Sequence, residues 1–224
     1  MIQQGFFAWP IVAFFIVLYL LKQAGSKTKT LIYYVLGFTV WIAYIMLLER
    51  SSLLQDFSLP PKVPLFIVMP AVATILFITS RKFFKPLLQN TSLHLPVFLQ
   101  SFRIVVELLI YGAFLKGILP KQATFEGMNF DIFVGFSALI MGLLLQTNKL
   151  GVKALMVWNI ASLAVLGLTA YSIINTFYFT DFVKTTGNNS FVEIPYIFLV
   201  SVLLPTAIFL HVFSIRQVLQ KKIV

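Results

Sequence analysis

The sequence predicts an all-α polytopic membrane bundle of seven transmembrane helices, with the N-terminus outside and the C-terminus in the cytoplasm. Three observations predict it. Apolar residues make up 59% of the chain and charged residues 11%, against about 45–50% and about 25% in ordinary soluble domains. The apolar residues gather in runs of roughly 17–25, the length a helix needs to cross a bilayer. Lys and Arg then alternate sides from one loop to the next. No Pro-, Gly- and Ser-rich stretch divides the 224 residues, so residues 1–224 are read as one transmembrane domain.

The first run, residues 5–21, has no Lys or Arg before it, and Lys22, Lys27 and Lys29 after it. A secretory signal has the reverse order, so this run is read as a retained helix. Residues 31–48, 64–80, 130–146, 154–176 and 195–215 qualify plainly as spans. Residues 96–115 contain Arg103 and Glu107, yet are otherwise apolar enough for a span whose charges face the protein interior. Phe6, Phe7 and Trp9 open the first helix and Phe177, Tyr178 and Phe179 follow the sixth, where aromatic rings favour the headgroup level. Pro10, Pro70 and Pro205 fall inside spans one, three and seven, where kinks are expected.

Orientation follows from the loops, because cytoplasmic loops retain Lys and Arg. One side carries Lys22, Lys27, Lys29, Arg81, Lys82, Lys85, Lys149, Lys153, Arg216, Lys221 and Lys222, with no acid. The other carries Arg50, Lys62, Lys116, Lys121 and Lys184 with Glu49, Asp56, Glu126, Asp131, Asp181 and Glu193. Leaving out the fourth span would move every later cluster to the wrong side. The net charge of +10 is thereby explained by membrane orientation, and no nucleic-acid partner is expected.

Gln100, Arg103, Glu107 and Tyr111 recur at spacings of three or four and share one helix face. At about 1.5 Å per residue from Pro96, Arg103 lies ~10 Å and Glu107 ~16 Å into the membrane. Intramembrane charges normally face the bundle and are paired. The pair is read either as a ligand site, with Arg103 as anion anchor and Glu107 as proton carrier, or as an intrahelical lock. By the same rise Asn159 and His211 lie ~9 Å and ~8 Å in, which groups them with Arg103 in a layer of the cytoplasmic half. The expectation is a cytoplasm-facing pocket for an anionic small molecule or lipid headgroup. Asn159, Ser162 and Thr169 share a face of the sixth helix. In the stretch before the fifth helix, Glu126, Asn129 and Asp131 form an external acidic loop in which Asn129 caps the helix and Asp131 favours its positive end, Gly127 permits the turn, and Glu126 with Asp131 is an alternative cation site. Gly135, Ala138 and Gly142 read as a small-residue packing face.

Several chemistries fail on missing residues. The chain has no cysteine, which excludes disulfides, thiolate metal sites and cysteine nucleophiles. A retinal protein of this topology needs a lysine in its last helix, and residues 195–215 have none. His94 and His211 lack the clustered partners of a zinc or di-iron site. No P-loop, dinucleotide fingerprint or Gly-x-Ser-x-Gly elbow occurs. No metal, cofactor or catalytic residue is therefore expected, and an enzyme is the less favoured reading.

The residues Arg103-x-x-x-Glu107, Thr124-Phe-Glu-Gly-x-Asn-Phe-Asp-Ile132, Trp158-Asn159 and His211-x-x-Ser-x-Arg-Gln217 resemble a family of bacterial multi-pass membrane proteins with no assigned activity. The resemblance covers about residues 95–217 and implies a bacterial inner membrane. The preferred reading is a small transporter, or a membrane protein that binds an anionic lipid or solute at a buried Arg–Glu site. The alternatives are a non-catalytic assembly or sensing subunit and a membrane-embedded lipid-modifying enzyme.

Overall fold

A computed structural model describes residues 1–221, so Lys222 lies outside the described residues. Every regular element among them is helical: α1 (Ile2–Gln23), α2 (Thr28–Arg50), α3 (Pro64–Ser80), α4 (Lys85–Asn90), α5 (His94–Leu115), α6 (Asp131–Gln146), α7 (Val152–Tyr178), α8 (Phe182–Thr186) and α9 (Leu199–Gln220). Five of these are long and apolar enough to cross a membrane, and α3 with the segment Lys82–Asn90, bent by 74° at Arg81, would make a sixth. The remaining apolar helix, α6, has only 16 residues. At about 1.5 Å per residue it covers ~24 Å of a ~30 Å hydrocarbon layer.

The outer surface is that of a membrane protein. Phe133, Phe136, Ile140 and Leu143 on α6, and Val157, Ile160 and Tyr171 on α7, are all exposed. The apolar window of α2 is only 6% buried, whereas that of α9 is 61% buried. An apolar helix left this bare at the rim is stable only in an apolar solvent.

Two prolines decide how α2 docks. Proline has no N–H, so the carbonyl four residues earlier is freed. The first turns of α3 (Pro64–Val68) and of α9 (Leu199–Leu203) are wide, and each ends two residues before a proline, Pro70 and Pro205 respectively. The freed carbonyls are those of Phe66 and Ser201. Tyr44 donates its hydroxyl to Phe66 O at 2.8 Å and Trp41 donates its indole N–H to Ser201 O at 2.7 Å. Both donors lie on one face of α2, which is thereby pinned between α3 and α9.

Boundaries differ from expectation mainly at the last helix. Pro195 to Phe198 make short-range turns, with Phe198 N–H on Pro195 O at 3.1 Å and Leu199 N–H on Tyr196 O at 3.0 Å. The helix therefore starts at Leu199 rather than at Pro195. It runs on past Ile215 because buried Gln217 is tied into the protein, donating to Leu88 O at 3.1 Å and Thr91 O at 2.8 Å. At the other extreme α1 ends where Gly25, at φ +72°, takes the left-handed conformation that lets Ser26 N–H reach back to Leu21 O at 3.1 Å.

Tertiary contacts sort the loops to two ends. Asn90 donates to Ala24 O, Gln217 to Leu88 and Thr91, and Val97, Leu145, Leu155 and Val218 form one apolar cluster. The turns after α1, α3 and α6 and the end of α9 thus share one end, which carries the acid-free basic clusters. At the opposite end Tyr178 Oη accepts from Val63 N–H at 3.0 Å, Asn188 donates to the carbonyl of Gly117, and Phe57 stacks on Phe177.

Candidate functional site

The site is built where α5 and α6 lie closest. A Cβ on Gly142 would stand 2.6 Å from the Phe98 ring, and one on Gly135 would stand 3.0 Å from the backbone nitrogen of Ile104. Between them Ala138 is completely buried. The small-residue face of α6 thus lets the two backbones nearly touch, in an antiparallel register that sets Phe98 beside Gly142 and Ile104 beside Gly135. Continued by one turn, this register sets the first residue of α6, Asp131, level with the turn of α5 around residue 108, and the long Arg103 side chain spans the remaining turn to reach it.

Arg103 is ion-paired with Asp131, and their side chains are 3% and 6% exposed. Among the described residues Arg103 makes no ion pair with Glu107, so the intrahelical pair is replaced by one between helices. Its other terminal nitrogen, Nη1, lies 3.2 Å from His211 Nε2. The neighbours of His211 fix its tautomer. The Asn159 amide donates to Leu155 O and to Ser214 Oγ, each at 2.9 Å, which turns its Oδ1 to His211 Nδ1 at 2.9 Å. That oxygen can only accept, so Nδ1 carries the proton and Nε2 accepts from the guanidinium, which has donors alone. The chain Ser214–Asn159–His211–Arg103–Asp131 therefore joins α7, α9, α5 and α6.

Glu107 is held separately. Asn129, wholly buried, donates to Glu107 Oε2 at 2.7 Å and to Ala123 O at 2.9 Å. Its Oδ1 accepts from Asp131 N–H and from Thr169 Oγ1, each at 3.0 Å. Asn129 does not cap α6 as expected: the N-cap is Phe130, with no side-chain cap bond, and Asn129, one residue earlier, meets the helix only at Asp131 N–H while tying the loop to α5 and α7. The loop reaches this depth because Gly127 packs directly on the preceding turn, where a Cβ would stand 2.7 Å from Gln122 Cα. Ser172 adds a bond to Gln122 O at 3.2 Å. The stretch called an external acidic loop is thereby divided: Asn129 and Asp131 are interior, and Glu126 is outside, accepting from Tyr111 Oη at 2.9 Å with Lys121 Nζ 4.0 Å away.

A cavity of about 110 Å³ opens beside Glu107. Its floor is formed by Arg103, Glu107, Asp131 and Thr169, its walls by Val106, Ile110, Leu166, Ala170, Ile173 and Leu203, and its far end by Phe57, Phe177, Tyr178 and Phe191. It points to the acid-rich end of the bundle, not to the basic end. His211 and Asn159 do not line it; both are fully buried behind Arg103. Arg103, Asn159 and His211 are thus brought together as their depths implied, but in direct hydrogen bonds with one another, and only Arg103 of the three lines this cavity. The anion that Arg103 was expected to draw from outside is supplied by Asp131. Gln100 stands apart as well, donating to Ala207 O at 3.0 Å. Tyr111, stacked on Phe125 with centroids 4.7 Å apart, turns to the loop.

Sequence reasoning missed Asp131 as the partner of Arg103, Asn129 as the junction and the aromatic end of the cavity. The signal for the first was present, since an intramembrane arginine requires an anion and Asp131 begins the next helix. No arrangement of three or more His, Asp or Glu suited to a metal occurs among the described residues. No family model, no curated protein and no solved structure matches this chain.

Proposed function

We propose that the chain is a seven-span protein of a bacterial inner membrane, N-terminus outside, that binds and carries a small amphipathic molecule within the bundle. The observation that supports this reading is the cavity: apolar walls that converge on three buried ionisable side chains level with the middle of the helices. Transporters place their sites at such depth, and apolar walls with a few convergent polar groups characterise small-molecule sites. An engineered apolar cavity of about 150 Å³ takes benzene, so the fitting part of the ligand has about four or five carbons.

The test is thermal unfolding of the purified protein in detergent with n-butanol, compared with the cavity-filling variant Ala170→Phe. Saturable stabilisation of the wild type, absent in the variant, is the expected result; identical responses overturn the reading. A second reading, a non-catalytic subunit in which the network only locks helices, is favoured by the internal satisfaction of Asn129, Asn159 and His211. On that reading wild type and Ala170→Phe respond alike.

A further inference from the structure

We propose that the ligand of this cavity is a small organic cation, a protonated amine with a short apolar group, whose ammonium rests on Glu107. The inference rests on the binding reading above and names the ligand's charge. Three ionisable side chains meet at the floor of the cavity: Arg103, Asp131 and Glu107. Arg103 and Asp131 neutralise each other in an ion pair, and the second terminal nitrogen of Arg103 is taken by His211. Glu107 is left over. It is 2% exposed, forms no ion pair among the described residues, and among them its carboxyl accepts one hydrogen bond, from the neutral amide of Asn129 onto Oε2. A buried carboxyl keeps its charge only when a cation or further donors face it and otherwise holds a proton, which an arriving ammonium would replace as the positive partner. The free side of Glu107 faces the cavity, so that is where the missing positive charge belongs.

The rest of the cavity suits the same ligand. The far end is walled by Phe57, Phe177, Tyr178 and Phe191, with the Phe177 and Phe191 rings stacked 5.0 Å apart and Phe57 against Phe177 at 5.8 Å. Aromatic faces attract ammonium ions, so a cation arriving from the acid-rich end meets favourable surface before it reaches the carboxylate. An anion would find no free cation, because the one guanidinium is already taken by Asp131 and His211. An amine carrying a phosphate, as in an ethanolamine lipid headgroup, would set a second anion against both carboxylates, and we commit to an amine without one.

The absence of cysteine makes the test direct. Ala170→Cys places a thiol in the cavity wall. Three methanethiosulfonates, the neutral methyl, the cationic 2-aminoethyl and the anionic 2-sulfonatoethyl compound, each form a mixed disulfide with it and release methanesulfinate. Rates are read by intact mass and normalised to those with 2-mercaptoethanol. The neutral reagent is expected to react, and the cationic reagent to outpace the anionic one by at least ~10-fold, as a single unscreened charge at short range requires. Adding Glu107→Gln should bring that ratio to about one while leaving the neutral rate unchanged. If the neutral reagent does not react, the binding reading itself fails. If it reacts but the charged reagents show no cation preference, or keep it in Glu107→Gln, the cation assignment fails alone.

Discussion

Replacing Arg103 by Met tests the network at its centre. Arg103 and Asp131 are 3% and 6% exposed in their side chains, so the variant leaves a carboxylate without its cation and His211 Nε2 without its donor. Breaking a buried ion pair from one side costs about 3–5 kcal/mol. At roughly 2–4 °C per kcal/mol for chains of this size, the midpoint of unfolding should fall by roughly 6–20 °C. Asp131→Asn should fall comparably. The double variant Arg103→Met/Asp131→Leu removes both charges and should recover most of the loss, because an apolar pair of similar volume is often as stable as the ion pair. Arg103→Met/Glu107→Gln should recover nothing, since Asp131 stays unpaired. The assay is thermal unfolding in detergent followed by tryptophan fluorescence. Additive losses in the Arg103/Asp131 cycle, or recovery in the Arg103/Glu107 cycle instead, would show that the network is connected differently.

Three further outcomes are expected. Trp41→Phe keeps the ring but removes the donor to the Ser201 carbonyl freed by Pro205, and an unsatisfied buried acceptor should cost about 1–3 kcal/mol; unchanged thermal stability would mean that the carbonyl finds another partner. Single cysteines at Lys27, Lys82 and Lys149 should escape an impermeant maleimide in intact cells while those at Asp56, Gln122 and Thr186 react, and equal labelling of both groups would sink the proposed seven-span topology. The Asp56 carboxyl accepts the Ser58 backbone N–H at 2.9 Å and lies 3.4 Å from Lys62 Nζ, and the Ser58 bond above all holds its pKa below the ordinary 3.8. A carboxyl with a depressed folded pKa stabilises above its unfolded value and loses that contribution as pH falls through the folded one. Carboxyl ¹³C titration of labelled aspartate should put the midpoint below 3.8; a midpoint at or above it would remove Ser58 as an anchor of the loop.

How far the sequence was legible divides along a physical line. Helices could be read because apolar length is a one-dimensional property, and α1, α2, α5 and α7 extend the expected runs by no more than three residues at either end. The interior stripe could be read because helical periodicity puts Gln100, Arg103 and Glu107 on one face, and all three are buried. Partners between helices could not, because counting depth from each helix end treats every helix as starting at the membrane edge. α6 breaks that assumption. With Gly135 beside Ile104, its first residue lies level with the turn of α5 near residue 108, some seven residues short of Leu115, which is ~10 Å at the helical rise. The connection from Lys116 to Phe130 must therefore descend into the bundle before the helix begins. Irregular backbone at such depth survives only when it is enclosed and its polar groups are satisfied. Asn129, Thr124 and Ala123 meet that condition, being fully buried and bonded to neighbouring groups. An external loop and a deep loop of the same composition differ in sequence by one quantity, the shortness of the 16-residue helix that follows. That shortness is what converts Asp131 from a surface acid favouring the positive end of its helix into the counter-ion of Arg103, and so leaves Glu107 as the one carboxyl lining the cavity without a cation.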